Sequence, residues 1–450
     1  MSNTILFEQR NFVQDPVHAR MTNYQFVTPL SSLAAKDPRR FGPKAANQAL
    51  LSQSGLCTPG GFCLSVEAYR AQLDHLGLTE IADKAVLSNF FDGRQQISQI
   101  RIALFGEPIS SDIQEPLLQA YNQLVLESET SVAVRSSSIM EDTQDASFAG
   151  QFQTFLGIDK KEDFFTAVRA CWGALWSSRA LRYMESKEIR PVDTAMAVLV
   201  QPLVDAICSG GGMSQTADGG MSITATWGFG ESIAQGEVVP DLYGLDADGT
   251  PIETLPGRKT HSIHCVRHHG SPSSTKVDSE QVSKRCLDDE QLRELSSIMR
   301  NAEKLMKGPV EIEWALDTAG FKILQARPLH IGPVSVPDDI WLQHPSLRGQ
   351  PGGIGWGTGR ACVISCECEL GRVAPGDVLV TKVAGPALSQ VLPRVSGVVA
   401  ELGGSTSHLA SLARERGIPM VLGALDVTNA IPDGAQVGVD GVAGLVRWIQ

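Results

Sequence analysis

The chain has 450 residues, of which 42% are hydrophobic and 20% charged, with a formal net charge of −12. That composition excludes a disordered chain, and the acidity excludes a general binder of nucleic acid or anionic membrane, whose phosphates require cationic stripes. No apolar run approaches the roughly 18 residues of a membrane span.

At about 100–200 residues per domain, the length corresponds to two to four domains. The N-terminus lacks the basic start and apolar stretch of a secretion signal. The nine cysteines are scattered and odd in number, which points to reduced thiols and a cytoplasmic location. Helical and strand patterns alternate, so the expected class is α/β or α+β. Three segments read as boundaries: polar Gly270 to Thr275, Leu329 to Pro337, and Gln350-Pro-Gly-Gly-Ile-Gly355. They divide the chain into a large unit (1–332), a linker (333–352) and a small unit (353–450).

In chain order, the first chemistry-bearing residue is Lys44, in Phe41-Gly-Pro-Lys44. Taken alone, a lysine there is ordinarily solvated. Val132 to Ser138 predicts a short strand that ends in Arg135 and three serines. A guanidinium fork and hydroxyls suit phosphate oxygens, although a polar loop with a surface arginine reads the same way. Ala195 to Val200 is the longest core-like stretch. Ser209-Gly-Gly-Gly212 to Gly219-Gly220 predicts a mobile loop. His261, His264, His268 and His269 lack ligand spacing and read as surface residues.

Pro309 to Asp317 and Phe321 to Arg327 alternate, joined by Thr318-Ala-Gly320 as a three-residue hairpin loop. With Asp317 opposite Phe321, Glu313 faces Gln325 and Glu311 faces Arg327, all on one side of the sheet. Their oxygens suit a hard Mg²⁺ ion that holds phosphates. A solvated charged face is the ordinary alternative. Cys362, Cys366 and Cys368 lack a fourth ligand, so no zinc site is expected. There is no GxxxxGK[ST] phosphate loop.

Near the C-terminus, Val395 to Ala400 reads as a buried strand broken by Gly403-Gly404. Leu409 to Arg416 follows as a helix capped by Ser405 or Thr406 and closed by Gly417 and Pro419. His408 falls in its first turn. Free backbone N–H groups and the helix dipole favour an anion there and keep an imidazole neutral, which suits a phosphorylated histidine. A histidine that only packs is the plain alternative.

The stretch Val399 to Gly423, centred on Gly403-Gly-Ser-Thr-Ser-His408, closely resembles the phosphohistidine domain of phosphoenolpyruvate synthases, pyruvate phosphate dikinases and rifampicin phosphotransferases. Pro375-Gly-Asp-Val-Leu-Val380, Ile431 to Gly434 and Val439 to Gly441 fit the same domain. Arg135 to Ser138, Glu141-Asp142 and Ser147 to Gln151 resemble the family's ATP-grasp nucleotide-binding domain. The resemblance implies that His408 carries the phosphoryl group, with Arg135 and Thr406 beside it. It implies Lys44, Arg135 and Arg327 at the phosphates, Gln201 near adenine, and Glu313 and Gln325 at Mg²⁺. It also marks Arg179, Lys259, Thr58 to Phe62 and the block Trp227 to Glu231, and assigns Glu231 and Gln325 to ATP. Pro43 stands where a second glycine is usual, and Gln153 replaces an acid.

The implied architecture is an ATP-grasp domain followed by a small mobile phosphohistidine domain. The implied reaction passes the β-phosphoryl group of ATP through His408 to a small-molecule acceptor, releasing AMP and phosphate. The pyruvate-binding barrel of phosphoenolpyruvate synthases is not found in these 450 residues, so an acceptor other than pyruvate is expected. A partner subunit that holds the acceptor is the alternative.

Overall fold

In a computed structural model, residues 26–87, 93–142, 148–265, 272–329, 341 and 344–449 are described. The N-terminal segment, Ser147, His268, His269 and the boundary at Pro333 and Pro337 lie outside the described residues.

The large unit is built on two antiparallel sheets. The first contains β1 (Val27–Pro29), β2 (Phe62–Leu64), β3 (Val132–Ser138), β4 (Thr154–Ile158) and β5 (Met196–Pro202), in the order β1-β2-β5-β3-β4. The apolar run of β5 lies at its centre, with Met196 to Val200 wholly buried. Helix Pro38–Gln53 packs on this sheet. The Asp37 carboxylate caps it by accepting from the Arg39 N–H. The helix breaks at Gly42, where φ is +72° and a Cβ would meet the Ser137 carbonyl oxygen at 2.4 Å. Pro43 then opens the second segment, a position where its missing N–H has no helical partner to lose. The proline is thus accommodated, and the turn carries Lys44 toward β3.

The second sheet contains β6 (Cys208–Met213), β7 (Met221–Trp227), β8 (Asp241–Leu245) and β9 (Pro251–Leu255). The hairpin β10 (His261–Cys265) and β11 (Pro272–Lys276) stands beside it. β12 (Val310–Asp317) and β13 (Gly320–Pro328) complete it, in the order β13-β12-β6-β7-β8-β9. The glycine-rich segment expected to be a mobile loop is therefore corrected: Ser209 to Gly212 form an interior strand between β12 and β7. The hairpin differs in detail from its sequence reading. Asp317 pairs with Gly320, so the loop has two residues rather than three. A bulge at Leu324 restores the register, and Glu313 pairs with Gln325 and Glu311 with Arg327 as expected.

An eight-stranded sheet follows: β14 (Ser346–Arg348), β15 (Gln350–Gly353), β16 (Trp356–Ile364), β17 (Val378–Thr381), β18 (Gly397–Ala400), β19 (Met420–Leu422), β20 (Gln436–Asp440) and β21 (Leu445–Ile449). The order is β14-β21-β20-β16-β17-β18-β19-β15, with β16 to β19 parallel. β14 and β15 come from the segment read as linker, and we propose that the second unit begins near His344. Helix His408–Arg416 links parallel strands β18 and β19, so His408 emerges beyond the C-terminal end of β18. Its N-cap is Ser407, whose hydroxyl accepts from the Ala410 N–H, rather than Ser405 or Thr406.

Cys366 and Cys368 form a disulfide, which corrects the expectation of reduced thiols throughout. The other seven cysteines form no disulfide. No described helix is long and apolar enough to cross a membrane.

Lys259 and Asp241 form an ion pair with both side chains wholly buried. Asp241 also accepts from the Gly257 and Cys286 N–H groups and from the Tyr243 hydroxyl. Asp241→Ala strands all these donors and a buried cation, so it should lower unfolding free energy by about 3–5 kcal/mol. Urea denaturation measures this, and a loss below about 1 kcal/mol contradicts it.

Candidate active site

A cleft of about 660 Å³ lies between the two sheets of the large unit and is lined also by the small unit. Lys44, Arg135, Gln201, Glu231, Glu313, Gln325, Arg327, Thr406 and His408 all contribute to its wall, as do Arg179 and Gln153. Lys259 does not, because its charge is spent on Asp241.

The sequence supplies one cation from each of three elements. Lys44 comes from the kinked helix, Arg135 from β3 and Arg327 from β13. None is solvated in the manner of a surface side chain. Lys44 is 7% exposed, and its ammonium donates to Glu141 Oε1 at 2.8 Å and to the Ser136 carbonyl at 3.0 Å. Burial works against its charge, but Glu141 and Asp142 outweigh that and raise its pKa. The cost appears on the acids. Burial pushes the Glu141 carboxyl up to about 7 against the pull of Lys44. Burial also raises Asp142. Arg135 Nη1 stands 3.5 Å from Glu313 Oε2, while its Nε has no hydrogen-bond partner.

Glu313 and Gln325 sit side by side across the β12–β13 ladder. Burial raises the Glu313 pKa, but Arg135 and the neighbouring cations overcome this and lower it, so the carboxylate is ionised. Gln325 donates Nε2 to Asp142 Oδ2 at 2.9 Å, which turns its carbonyl oxygen away from that contact. A carboxylate beside an amide oxygen is a hard-oxygen pair that fits Mg²⁺. No group of three His, Cys, Asp or Glu suited to a metal occurs among the described residues. Water and ligand oxygens would therefore complete the shell, as is usual for Mg²⁺.

His408 faces this cluster. Its pKa is pushed down to about 4, first by burial and then by Arg327 and Lys44, against the opposing pull of Glu313 and Glu311. The imidazole is neutral at pH 7 and has a lone pair to offer. The approach is close: a Cβ on Gly150 would lie 3.1 Å from His408 Cβ. A Cβ on Gly211 would lie 2.5 Å from Thr406 Cβ, which explains the glycine at that point of β6. Thr406 Oγ1 hydrogen-bonds Thr224 Oγ1 on β7 at 2.7 Å.

Glu231 opens the short helix Glu231–Ala234, and burial, then the charge of Glu237, raises its pKa. Gln201 donates to the Gly60 carbonyl at 3.3 Å, and Arg179 to the Gln151 carbonyl at 3.1 Å. Sequence reasoning missed the parts played by Gly150, Gly211, Thr224, Ser411 and Arg414. The triple glycine inside an alternating neighbourhood was the available signal.

The chain belongs to the pyruvate phosphate dikinase family: residues 39–338 match the model of its AMP/ATP-binding domain. Residues 373–444 match the mobile domain of phosphoenolpyruvate-utilising enzymes. The expected fold class, a nucleotide-binding ATP-grasp domain followed by a small mobile domain, agrees with both. The chain is 30% identical over 434 residues to a probable phosphoenolpyruvate synthase of Methanothermobacter thermautotrophicus, covering 94% of this chain and 63% of that protein. It is 29% identical to the phosphoenolpyruvate synthase of Pyrococcus furiosus (94% of this chain, 58% of that protein). It is 31% identical to that of Escherichia coli (93% and 57%). The chain thus spans about six-tenths of the length of the curated relatives it matches.

The lowered pKa of His408 has a measurable consequence. The ordinary value is 6.5, so the burial of His408 favours the folded, docked state fully above pH 6.5 and loses that contribution as pH falls toward 4. Imidazole NMR of the intact chain should give a midpoint near 4 for His408. A midpoint at or above 6.5 means that the imidazole stands in water.

Proposed function

We propose that this chain is a dikinase-type phosphotransferase that uses ATP to phosphorylate its own His408 and passes the phosphoryl group to a small-molecule acceptor. The observation that carries this reading is the neutral His408 in the wall of the same cleft as Lys44, Arg135, Arg327, Glu313 and Gln325.

In this reading, the bond between the β-phosphorus and the bridging oxygen of AMP breaks, and a bond to an imidazole nitrogen forms. AMP leaves with the electron pair. Water then attacks the γ-phosphorus of the resulting pyrophosphohistidine, and its bond to the β–γ bridging oxygen breaks with the electron pair staying on that oxygen. Inorganic phosphate departs, and the β-phosphoryl group stays on His408. Lys44, Arg135 and Arg327 hold the triphosphate and oppose its charge. Arg135 lines the cleft, and its guanidinium would meet phosphate oxygens there, while its buried Nε has no hydrogen-bond partner. Gln201 lines the cleft together with Pro202, Leu203 and Val204, and in this reading that part of the wall takes adenine. Glu231 lies on the same wall. Glu313 and Gln325 would hold Mg²⁺, which when bound neutralises part of the triphosphate charge. Thr406 fixes the loop before His408 by its bond to Thr224. A histidine intermediate separates ATP chemistry from acceptor chemistry in space, which requires the second unit to leave the cleft.

The experiment supplies β-labelled ATP and Mg²⁺ and follows an acid-labile, alkali-stable label on the protein. His408→Ala should bind ATP yet take up no label and form no phosphorylated product. Normal turnover to AMP and product by that variant overturns the assignment. Candidate acceptors, pyruvate among them, are then added to the labelled protein. Faster AMP release with one of them names the acceptor, and transfer only in the presence of a second protein assigns the acceptor site to a partner.

Glu313→Ala should reduce labelling by about 10²-fold, because metal and phosphate charge lose a shared ligand. The variant should still fold, since the Glu313 side chain is 45% exposed in the cleft, although Arg135 loses a carboxylate partner. Unchanged labelling removes the hairpin from the site.

A further inference from the structure

Two residues along β12 from Glu313, the carboxylate of Glu311 meets both units of the chain. From its own unit it accepts from Arg327, with Nε at 3.2 Å and Nη2 at 3.0 Å. From the small unit it accepts from Arg414 Nη2 at 2.9 Å and from the Ser411 hydroxyl at 3.3 Å. Arg327 Nη2 in turn donates to Ser411 Oγ at 2.5 Å. Ser411 lies three residues after His408 on the same helix, and so on the same face. Glu311 is 6% exposed and Arg414 is 7% exposed.

We propose that Glu311 is a positioning residue, a reversible latch that seats the His408 helix against the phosphate end of the cleft through Arg414 and Ser411. The proposal rests on the phosphotransferase reading above for its consequence, and on geometry alone for its existence.

A latch that opens in every catalytic cycle must not strand a charge. An ordinary buried pair fails this condition, because separating it leaves each partner desolvated and unpaired. This one meets it on both sides. When the helix leaves, Glu311 keeps Arg327. Arg414 keeps the Ser405 carbonyl, at 2.5 Å, and the Gly352 carbonyl, at 3.1 Å, through Nη1. Those two carbonyls belong to the small unit, and Ser405 lies in the loop that leads into His408. Arg414 therefore braces the histidine's own loop in either state and adds Glu311 only when docked. Arg327 is the shared element. It touches Ser411 of the docked helix while lining the cleft where triphosphate oxygens are expected. Docking and phosphate contact are thereby made by one guanidinium, which aligns His408 with the group it attacks.

The test compares wild type, Glu311→Gln, Ser411→Ala, Arg414→Gln and the double variant Glu311→Gln/Arg414→Gln in the full chain. Four quantities are read: thermal midpoint, dissociation constant for a non-hydrolysable ATP analogue, single-turnover labelling of His408 from β-labelled ATP, and radius of gyration without nucleotide. Glu311→Gln should slow labelling by about 10- to 100-fold without weakening analogue binding, and should enlarge the radius of gyration. Once labelled by long incubation, it should lose the label to water no more slowly than wild type. The double variant should lose less than the product of the two single losses, because the charges are removed together. Ser411→Ala, which removes no charge, should slow labelling by a smaller factor and decides the matter if Glu311→Gln does not fold. The proposal is overturned by unchanged labelling with an unchanged radius, or by analogue binding weakened as much as labelling. If wild type itself takes no label, the phosphotransferase reading fails, and the radius of gyration alone still decides whether Glu311 holds the units together.

Discussion

Cations gathered out of water repel one another, and the architecture follows from having to neutralise them before any ligand arrives. Lys44, Arg135 and Arg327 reach one end of the cleft, and each is met by a carboxylate: Glu141, Glu313 and Glu311. These pairs bring the site near electrical balance, so the negative charge of a bound triphosphate would call for a further cation. The imbalance is displaced onto the acids, and Glu141 is the clearest case, with a carboxyl pushed up to about 7.

The same constraint explains why the site is divided between two units. His408 is held neutral by burial and by nearby cations, yet a phosphohistidine in that position would face the acids that balance them. Under the proposed phosphotransfer, mounting His408 on its own sheet would let the group be made in one electrostatic setting and used in another. The interface that permits this is lined by small residues. Gly150 and Gly211 supply the room, and Thr224 and Ser411 supply short polar contacts. The outer side of the helix is held by Glu415, which accepts from the Tyr183 hydroxyl at 2.8 Å and pairs with Lys187.

Much of this was legible in the sequence where the signal is local. The β12–β13 hairpin declares itself by period two, and its pairing puts Glu313 beside Gln325 as expected. The His408 helix is announced by a glycine break before it and by Gly417 after it. What could not be read is whatever depends on distant partners. Lys44 looks like a surface lysine because Glu141 is 97 residues away in sequence. The triple glycine looks like a loop because the reason for Gly211, Thr406, is nearly two hundred residues further on. Arg414 looks like an ordinary basic residue near a helix C-terminus, and only tertiary structure turns it toward Glu311. The cap at Ser407 was misplaced for a smaller reason: three consecutive hydroxyl residues offer equivalent local chemistry, and the backbone chooses among them.

The bulge at Leu324 also limits how this gene can change. The two-residue loop and the extra residue in β13 compensate one another, and only their sum keeps Gln325 and Arg327 on the cleft side. A single codon lost or gained between Thr318 and Leu324 that neither the loop nor the bulge absorbed would send both side chains through to the opposite face of the sheet, where helix Asp289–Met306 packs. Changes two codons at a time would preserve facing and alter only the length of the tip. Length variation in the hairpin is therefore expected at the tip, where the loop or the bulge absorbs it without turning Gln325 or Arg327 away from the cleft.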